Sequence, residues 1–116
     1  AGCRLRPLRF EPTSGKWGGR TCGGFQIHVI DPDLFRPYRT SLALLQALRI
    51  LYPEGFAYKA PPYEYEFERL PMDLLIGDRK VREGLESGLP VADLEAAWQD
   101  ELADYRQRCS PLFLYD

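Results

Sequence analysis

From Phe25 to Ile30 apolar and polar positions alternate: Phe25, Ile27 and Val29 are separated by Gln26 and His28. A period of two predicts a β-strand that turns the apolar set toward a core and leaves Gln26 and His28 on the opposite face. Arg4–Phe10 reads as a second strand. Pro7 inside it has no N–H for a ladder, which places that strand at an edge or a bulge. Between Arg39 and Tyr52 the period changes. Leu42, Leu44, Leu45, Leu48, Leu51 and Tyr52 cover more than one side of a helix, with Gln46 and Arg49 as its polar markers. Thr40 or Ser41 caps its start, and Pro53 with Gly55 stops it.

Further on, Tyr63, Tyr65 and Phe67 alternate with Glu64, Glu66 and Glu68, predicting an extended segment with one aromatic and one acidic face. Leu70–Ile76 reads as a short helix ending at Gly77, and Asp78 caps another that carries Val81 and Leu85 and closes at Gly88. Pro90–Arg108 is the last helix, with Val91, Leu94, Trp98, Leu102 and Tyr105 in one stripe. After Pro111, Leu112–Tyr115 suits a strand buried on both faces. The expected fold is α+β (α/β-like), a single domain. Its small mixed sheet comes from Arg4–Phe10, Phe25–Ile30, Tyr63–Phe67 and Leu112–Tyr115, packed by two main helices plus short ones.

Composition narrows the function. A chain of 116 residues that is 45% hydrophobic and 28% charged has the make-up of one globular domain, not of a disordered chain. Its formal charge of -2 argues against nucleic acid as a partner. No apolar run reaches the ~20 residues of a membrane span, and no signal peptide opens the chain. The chain begins at Ala1 without an initiator methionine, so it reads as a piece cut from a longer protein. Cys3, Cys22 and Cys109 permit at most one internal disulfide, which leaves stabilisation to the core and the compartment open, cytoplasmic or exported.

Candidate chemistry centres on the glycine-rich loop before the Phe25 strand. Gly15, Gly18, Gly19, Gly23 and Gly24 are interleaved there with Lys16, Trp17, Arg20 and Cys22. Cations and a flat ring on such a loop suit an acidic or sugar-like ligand; the competing reading is a connection whose Trp17 folds back over the core. His28, the single histidine, and Cys22 raise a thiol–imidazole pair, though no pattern requires them to meet. Hydrogen bonding by Gln26 and His28 to a ligand or a neighbouring domain fits better. Glu64 and Glu66, on one face of an extended segment and about 6–7 Å apart, have the spacing of a glycosidase carboxylate pair, against the reading of a solvated strand edge. No metal-ligand spacing, phosphate loop or dinucleotide fingerprint is present, so no cofactor is expected.

Four stretches, taken together, resemble a known family: FEPTSGKWGGRTCGGFQIHVID, FRPYRTSLALLQALRILYP, KAPPYEYEFERLPMDLLIGDRKVREGLESG and AAWQDELADYRQRCSPLFLYD. They look like the carboxyl-terminal part of the NamZ-type exo-β-N-acetylmuramidases, long known only as a bacterial domain of unknown function. The family's K-x-x-G-x-x-C-x-G-x-x-I-H-V pattern falls on Lys16, Gly19, Cys22, Gly24, Ile27, His28 and Val29; Ile30 stands where threonine is common. The resemblance implies a peptidoglycan-recycling glycoside hydrolase that removes N-acetylmuramic acid from non-reducing ends. It implies as partner the protein's own amino-terminal Rossmann-like catalytic domain, which bears the proposed catalytic glutamate and meets this one at a cleft. The fragment alone is then expected to be inactive. Muramyl glycan fragments carry a lactyl carboxylate, which Lys16, Arg20 or Arg36 can answer while Trp17 or Tyr63 stacks on the sugar. The alternatives are a non-catalytic glycan- or protein-binding module, and an independent hydrolase built on Glu64 and Glu66 or on Cys22 and His28.

Overall fold

Strand β1 (Cys3–Phe10) pairs antiparallel with β2 (Cys22–Val29), from Cys3 opposite Val29 to Phe10 opposite Cys22. In the computed structural model, which describes residues 2–114, this ribbon belongs to the first of two units that divide after Pro37. Both strands of a two-stranded ribbon are edges, so Pro7 costs no ladder bond that a third strand would need. The register puts Cys3, Leu5 and Pro7 on one face with Val29, Ile27 and Phe25, and Arg4 and Arg6 on the other with His28 and Gln26. The expected alternation is therefore present. Its apolar side, however, is not covered within this unit: Phe25 is 56% exposed and Val29 47%. The base of the ribbon closes on Gly2, whose carbonyl accepts from Ile30 N at 2.9 Å and Asp31 N at 3.1 Å. With φ of +78° and the backbone of Leu34 and Phe35 against the place of a Cβ, Gly2 admits no side chain.

The second unit is helical. Helix α1 (Pro37–Leu51) precedes α2 (Pro71–Ile76), α3 (Arg79–Glu86), α4 (Val91–Ala97) and α5 (Gln99–Cys109). Leu42, Val81, Leu85 and Leu94 make the core, with Leu45, Ile76, Val91 and Trp98 packed against it. The joint between α2 and α3 is two residues long. Gly77, at φ +87°, ends α2 by donating its N–H to Asp73 O at 2.9 Å, and the Asp78 carboxylate accepts from Lys80 N at 2.7 Å to start α3. At the far end Gly88, at φ +82°, lets Leu89 N reach Gly84 O at 3.0 Å and Gly88 N reach Leu85 O at 3.2 Å, the paired bonds of a Schellman stop.

The α+β class holds, with a sheet of two strands among the described residues. Two expected strands take other forms. Residues 63–67 form a tight turn with one isolated bridge between Tyr63 and Glu66, and Ser110–Leu112 coils into a 3-10 turn followed by exposed Phe113 and Leu114; Tyr115 lies outside the described residues. The expected helix over Pro90–Arg108 is two helices, broken at Trp98, whose φ of -104° and ψ of 3° leave the helical region. Its ring meets Tyr38 edge-on at 5.4 Å, and the Gln99 side chain donates to Glu95 O at 3.1 Å, a carbonyl near the end of α4. Of the predicted stripe Leu94 is buried and Tyr105 exposed, so α5 leaves the core that α4 enters.

Candidate functional site

The loop between β1 and β2 is a folded tip held by its own backbone: Gly18 N donates to Gly15 O at 3.1 Å, Gly19 N to Pro12 O at 2.9 Å and Arg20 N to Trp17 O at 3.1 Å. Gly15 and Gly19 take φ of +80° and +70°, which explains glycine at those two places. Gly24 has a different reason, since the Phe10 ring lies across it and a Cβ would stand 3.0 Å from Phe10 Cε1. Trp17 does not cover a core; it is half exposed, with Lys16 Nζ 5.1 Å and Arg20 Cζ 5.8 Å from the centre of its ring. Two cations are thus held on one indole by its quadrupole. The tip presents a ready-made pair of positive groups.

The polar face of the ribbon carries further cations, separated from the tip by Leu8 and Phe10 on the same face. Arg4 stands opposite His28 and Arg6 opposite Gln26, and all four are exposed, as is Lys16. Directly paired residues on one face sit about 5 Å apart at Cβ, close enough to engage one ligand group. Sequence reasoning misses Arg4 and Arg6. Their place beside Gln26 and His28 depends on register, which a strand pattern alone does not supply. Neither strand carries a carboxylate, and residues 1–37 hold six lysines and arginines against three acids, whereas 38–116 hold nine against fourteen. Arg36 is occupied locally, donating from Nη1 to Asp33 O at 2.6 Å and Phe35 O at 3.3 Å. Cys22 and His28 share one strand six residues apart, hence about 20 Å along it, so they form no thiol–imidazole pair. Cys3, Cys22 and Cys109 are all free thiols.

The Glu64 and Glu66 carboxylates do not lie side by side on a strand. Tyr63 N donates to Glu66 O at 2.9 Å and Glu66 N to Tyr63 O at 3.0 Å, which places Glu64 and Tyr65 at the tip of the turn and half-buried Tyr63 at its base. Glu66 turns inward: Oε1 accepts from Glu68 N at 2.9 Å and Arg69 N at 3.2 Å, and Oε2 from Arg69 Nε at 2.8 Å. The Glu68 amide first, then the Arg69 side chain and amide, lower its pKa from 4.5 to about 2. A glycosidase general acid needs the opposite shift. Glu66 acts here as a clamp.

A concavity of about 430 Å³ in the helical unit is lined by Glu68, Arg69, Asp73, Gly77, Arg79 and Arg82 among others. Its cations are already engaged. Arg69 pairs with Glu66 at 2.8 Å, Arg79 with Glu83 at 2.6 Å, and buried Arg82 with Asp73 and, at 2.7 Å, Glu86. Arg82 is held above its ordinary range by Asp73 foremost and then Glu86. Beside this network the buried Tyr58 hydroxyl has no partner, and desolvation first of all raises its pKa. Among the described residues no group of three His, Cys, Asp or Glu side chains stands close enough to hold a metal ion.

The NamZ protein of Bacillus subtilis (strain 168), a peptidoglycan β-N-acetylmuramidase, is 26% identical over 114 residues, covering 98% of this chain. The chain spans about a quarter of that curated relative, 26% of its length. No solved structure matches the chain. The family described as exo-β-N-acetylmuramidase NamZ, carboxyl-terminal, matches residues 1–115. With nearly every residue inside that match, the chain belongs to the family of NamZ carboxyl-terminal domains.

Proposed function

We propose that this chain is the auxiliary part of a longer peptidoglycan β-N-acetylmuramidase, and that its ribbon supplies the cationic wall of a substrate cleft completed by a separate catalytic domain. The observation that carries this reading is the concentration of exposed cations, Arg4, Arg6, Lys16 and Arg20, on two strands that hold no carboxylate and on the tip between them, in a chain of this family. A muramyl sugar bears a lactyl carboxylate. Guanidinium and ammonium groups held at fixed spacing bind such a group through charge-assisted hydrogen bonds, while Gln26 and His28 add neutral polar contacts. In this role Trp17 orients Lys16 and Arg20 through its ring, and the tip hydrogen bonds keep all three ordered before substrate arrives.

The other face of the ribbon supports a companion domain. A two-stranded ribbon is at best marginally stable in water by itself, and Leu5, Phe25, Ile27 and Val29 remain open to solvent. Covering them against the catalytic domain would bury that surface and fix the cationic face at the cleft.

The test is release of N-acetylmuramic acid from a muramyl disaccharide by the longer protein. Activity of that protein, no activity from the 116-residue chain, and a KM raised about tenfold or more by Lys16→Ala with Arg20→Ala are the expected results. A longer protein that releases no muramic acid sinks the reading. Turnover by the isolated chain would move the chemistry into it.

A further inference from the structure

The two edges of the ribbon are not equivalent. Gly2 O accepts from Ile30 N at 2.9 Å, and from there the register runs without a bulge, from Cys3 opposite Val29 to Phe10 opposite Cys22. In an antiparallel ladder, pairs that exchange hydrogen bonds alternate with pairs that do not. Arg4 with His28 and Arg6 with Gln26 are therefore bonded pairs, whereas Leu5 and Ile27, and Pro7 and Phe25, turn their backbone groups away from each other. On the β1 edge the outward residues are Cys3, Leu5, Pro7 and Arg9, so Pro7 leaves a gap without a donor in the middle. Arg4, Arg6 and Arg9 add charge to the same strand. Proline and charge are the means by which sheet edges are closed to further pairing. On the β2 edge Gly23, Phe25, Ile27 and Val29 each turn an N–H and a C=O outward, and the strand CGGFQIHV holds no proline, lysine, arginine, aspartate or glutamate. Among the described residues no third strand pairs with it.

We propose that the β2 edge accepts a third strand from the companion domain; the inference rests on the reading of this chain as the auxiliary part of a longer protein. Main-chain hydrogen bonds to Gly23, Phe25, Ile27 and Val29 hold the incoming strand, and its alternate apolar side chains lie beside Phe25, Ile27 and Val29 on the open face. Two arguments select a strand of the same longer protein over a second copy of this chain. The chain spans 26% of its curated relative, so most of such a protein lies outside it, and a tethered segment pairs at a far higher effective concentration than a separate molecule. In addition, two copies joined antiparallel at β2 share one sheet face, so their Phe25, Ile27 and Val29 make a doubled apolar surface with no layer over it. A companion domain supplies both the strand and the layer. Lengthening the sheet sideways leaves the face of Arg4, Arg6, Gln26 and His28 open, so edge pairing and ligand binding do not compete.

Backbone amide hydrogen exchange, resolved by residue with NMR in the longer protein, tests this. The outward amides of Phe25, Ile27 and Val29 are expected to exchange at least about a hundredfold more slowly than in an unstructured peptide, like the inward amides of Gln26 and His28. The outward amides of Leu5 and Arg9 on β1 should stay within about tenfold of the unstructured rate. Backbone NOEs from Phe25 and Ile27 to a strand outside this chain, in a protein that sediments as a monomer, complete the expected pattern. Fast exchange at Phe25, Ile27 and Val29 beside protected Gln26 and His28 overturns the inference. Equal protection at Leu5 and Arg9 overturns it too, as does slow exchange without cross-strand NOEs, which is burial alone. Protection that appears only in a dimer gives the edge to a second copy and likewise overturns it. No substrate enters the measurement, so a longer protein that releases no muramic acid sinks the muramidase reading while the amides still decide the strand.

Discussion

Arg49, on α1, donates from Nη1 to the carbonyl of Leu85 at 2.9 Å, near the end of α3. Three residues earlier on the same helix Gln46 Nε2 donates to Leu89 O at 2.7 Å. The last carbonyls of a helix carry its negative end, so a guanidinium there gains both a hydrogen bond and the dipole's attraction. Replacing Arg49 by methionine keeps most of the apolar stem and removes the donor. A loss of about 1–2 kcal/mol is expected in urea unfolding. Arg49→Lys should recover only part, because its single ammonium cannot copy the planar fork.

Arg82 is the one buried charge among the described core residues, at 7% exposure, and it bridges Asp73 on α2 to Glu86 on its own helix. Removing it leaves two carboxylates partly desolvated without a counter-ion, a mechanism worth about 3–5 kcal/mol. Arg82→Met is therefore expected to lower the unfolding midpoint far more than Arg79→Met. The Arg79–Glu83 pair is a surface bridge between exposed side chains, and such pairs contribute less than about 1 kcal/mol. Equal effects from the two substitutions would refute the distinction.

The Glu66 clamp gives a pH dependence with a definite sign. Its folded pKa, about 2, lies below the ordinary 4.5, so the clamp's stabilisation is complete above about 4.5 and is lost as pH falls toward 2. Carbon-detected NMR titration should place the Glu66 carboxylate near 2. The turn should open in acid before the helices unfold, reported by earlier loss of hydrogen-exchange protection at the Glu68 and Arg69 amides. Titration near 4.5 would show that the carboxylate is not held in the folded turn.

These relationships also mark what the residues disclose when read in order. The Gly77–Asp78 joint and the Gly88 stop are legible because each signal acts on its immediate neighbours. The alternation at Tyr63–Glu68 is not decisive, since six residues fit a turn as well as a strand and the Glu66 clamp selects the turn. The break at Trp98 is set by packing against Tyr38, 60 positions away, and a continuous stripe hides it. Gln46 and Arg49 look like solvent markers for a similar reason: their acceptors lie 43 and 36 residues further on. Lys16, Trp17 and Arg20 announce themselves as a cluster because they are neighbours in sequence. Arg4 and Arg6 join Gln26 and His28 only once strand register is fixed.

Gly84 tests how tightly α3 meets α4. In an exposed helix interior, glycine to alanine stabilises by about 1 kcal/mol. Gly84 is buried, and a Cβ there would stand 2.5 Å from Leu94 Cδ2 and 3.4 Å from Leu89 Cδ1. Leu94 belongs to the core and must change rotamer to make room, a strain of about 1–3 kcal/mol that outweighs the propensity gain. Gly84→Ala is thus expected to lower stability by roughly 1 kcal/mol in urea unfolding. Leu94→Ala by itself should cost about 2–5 kcal/mol through the cavity it leaves. In the double variant the new methyl occupies part of that cavity, so the combined loss should be smaller than the two single losses added, by at least about 0.5 kcal/mol. Strict additivity would mean that the two helices do not touch at this point.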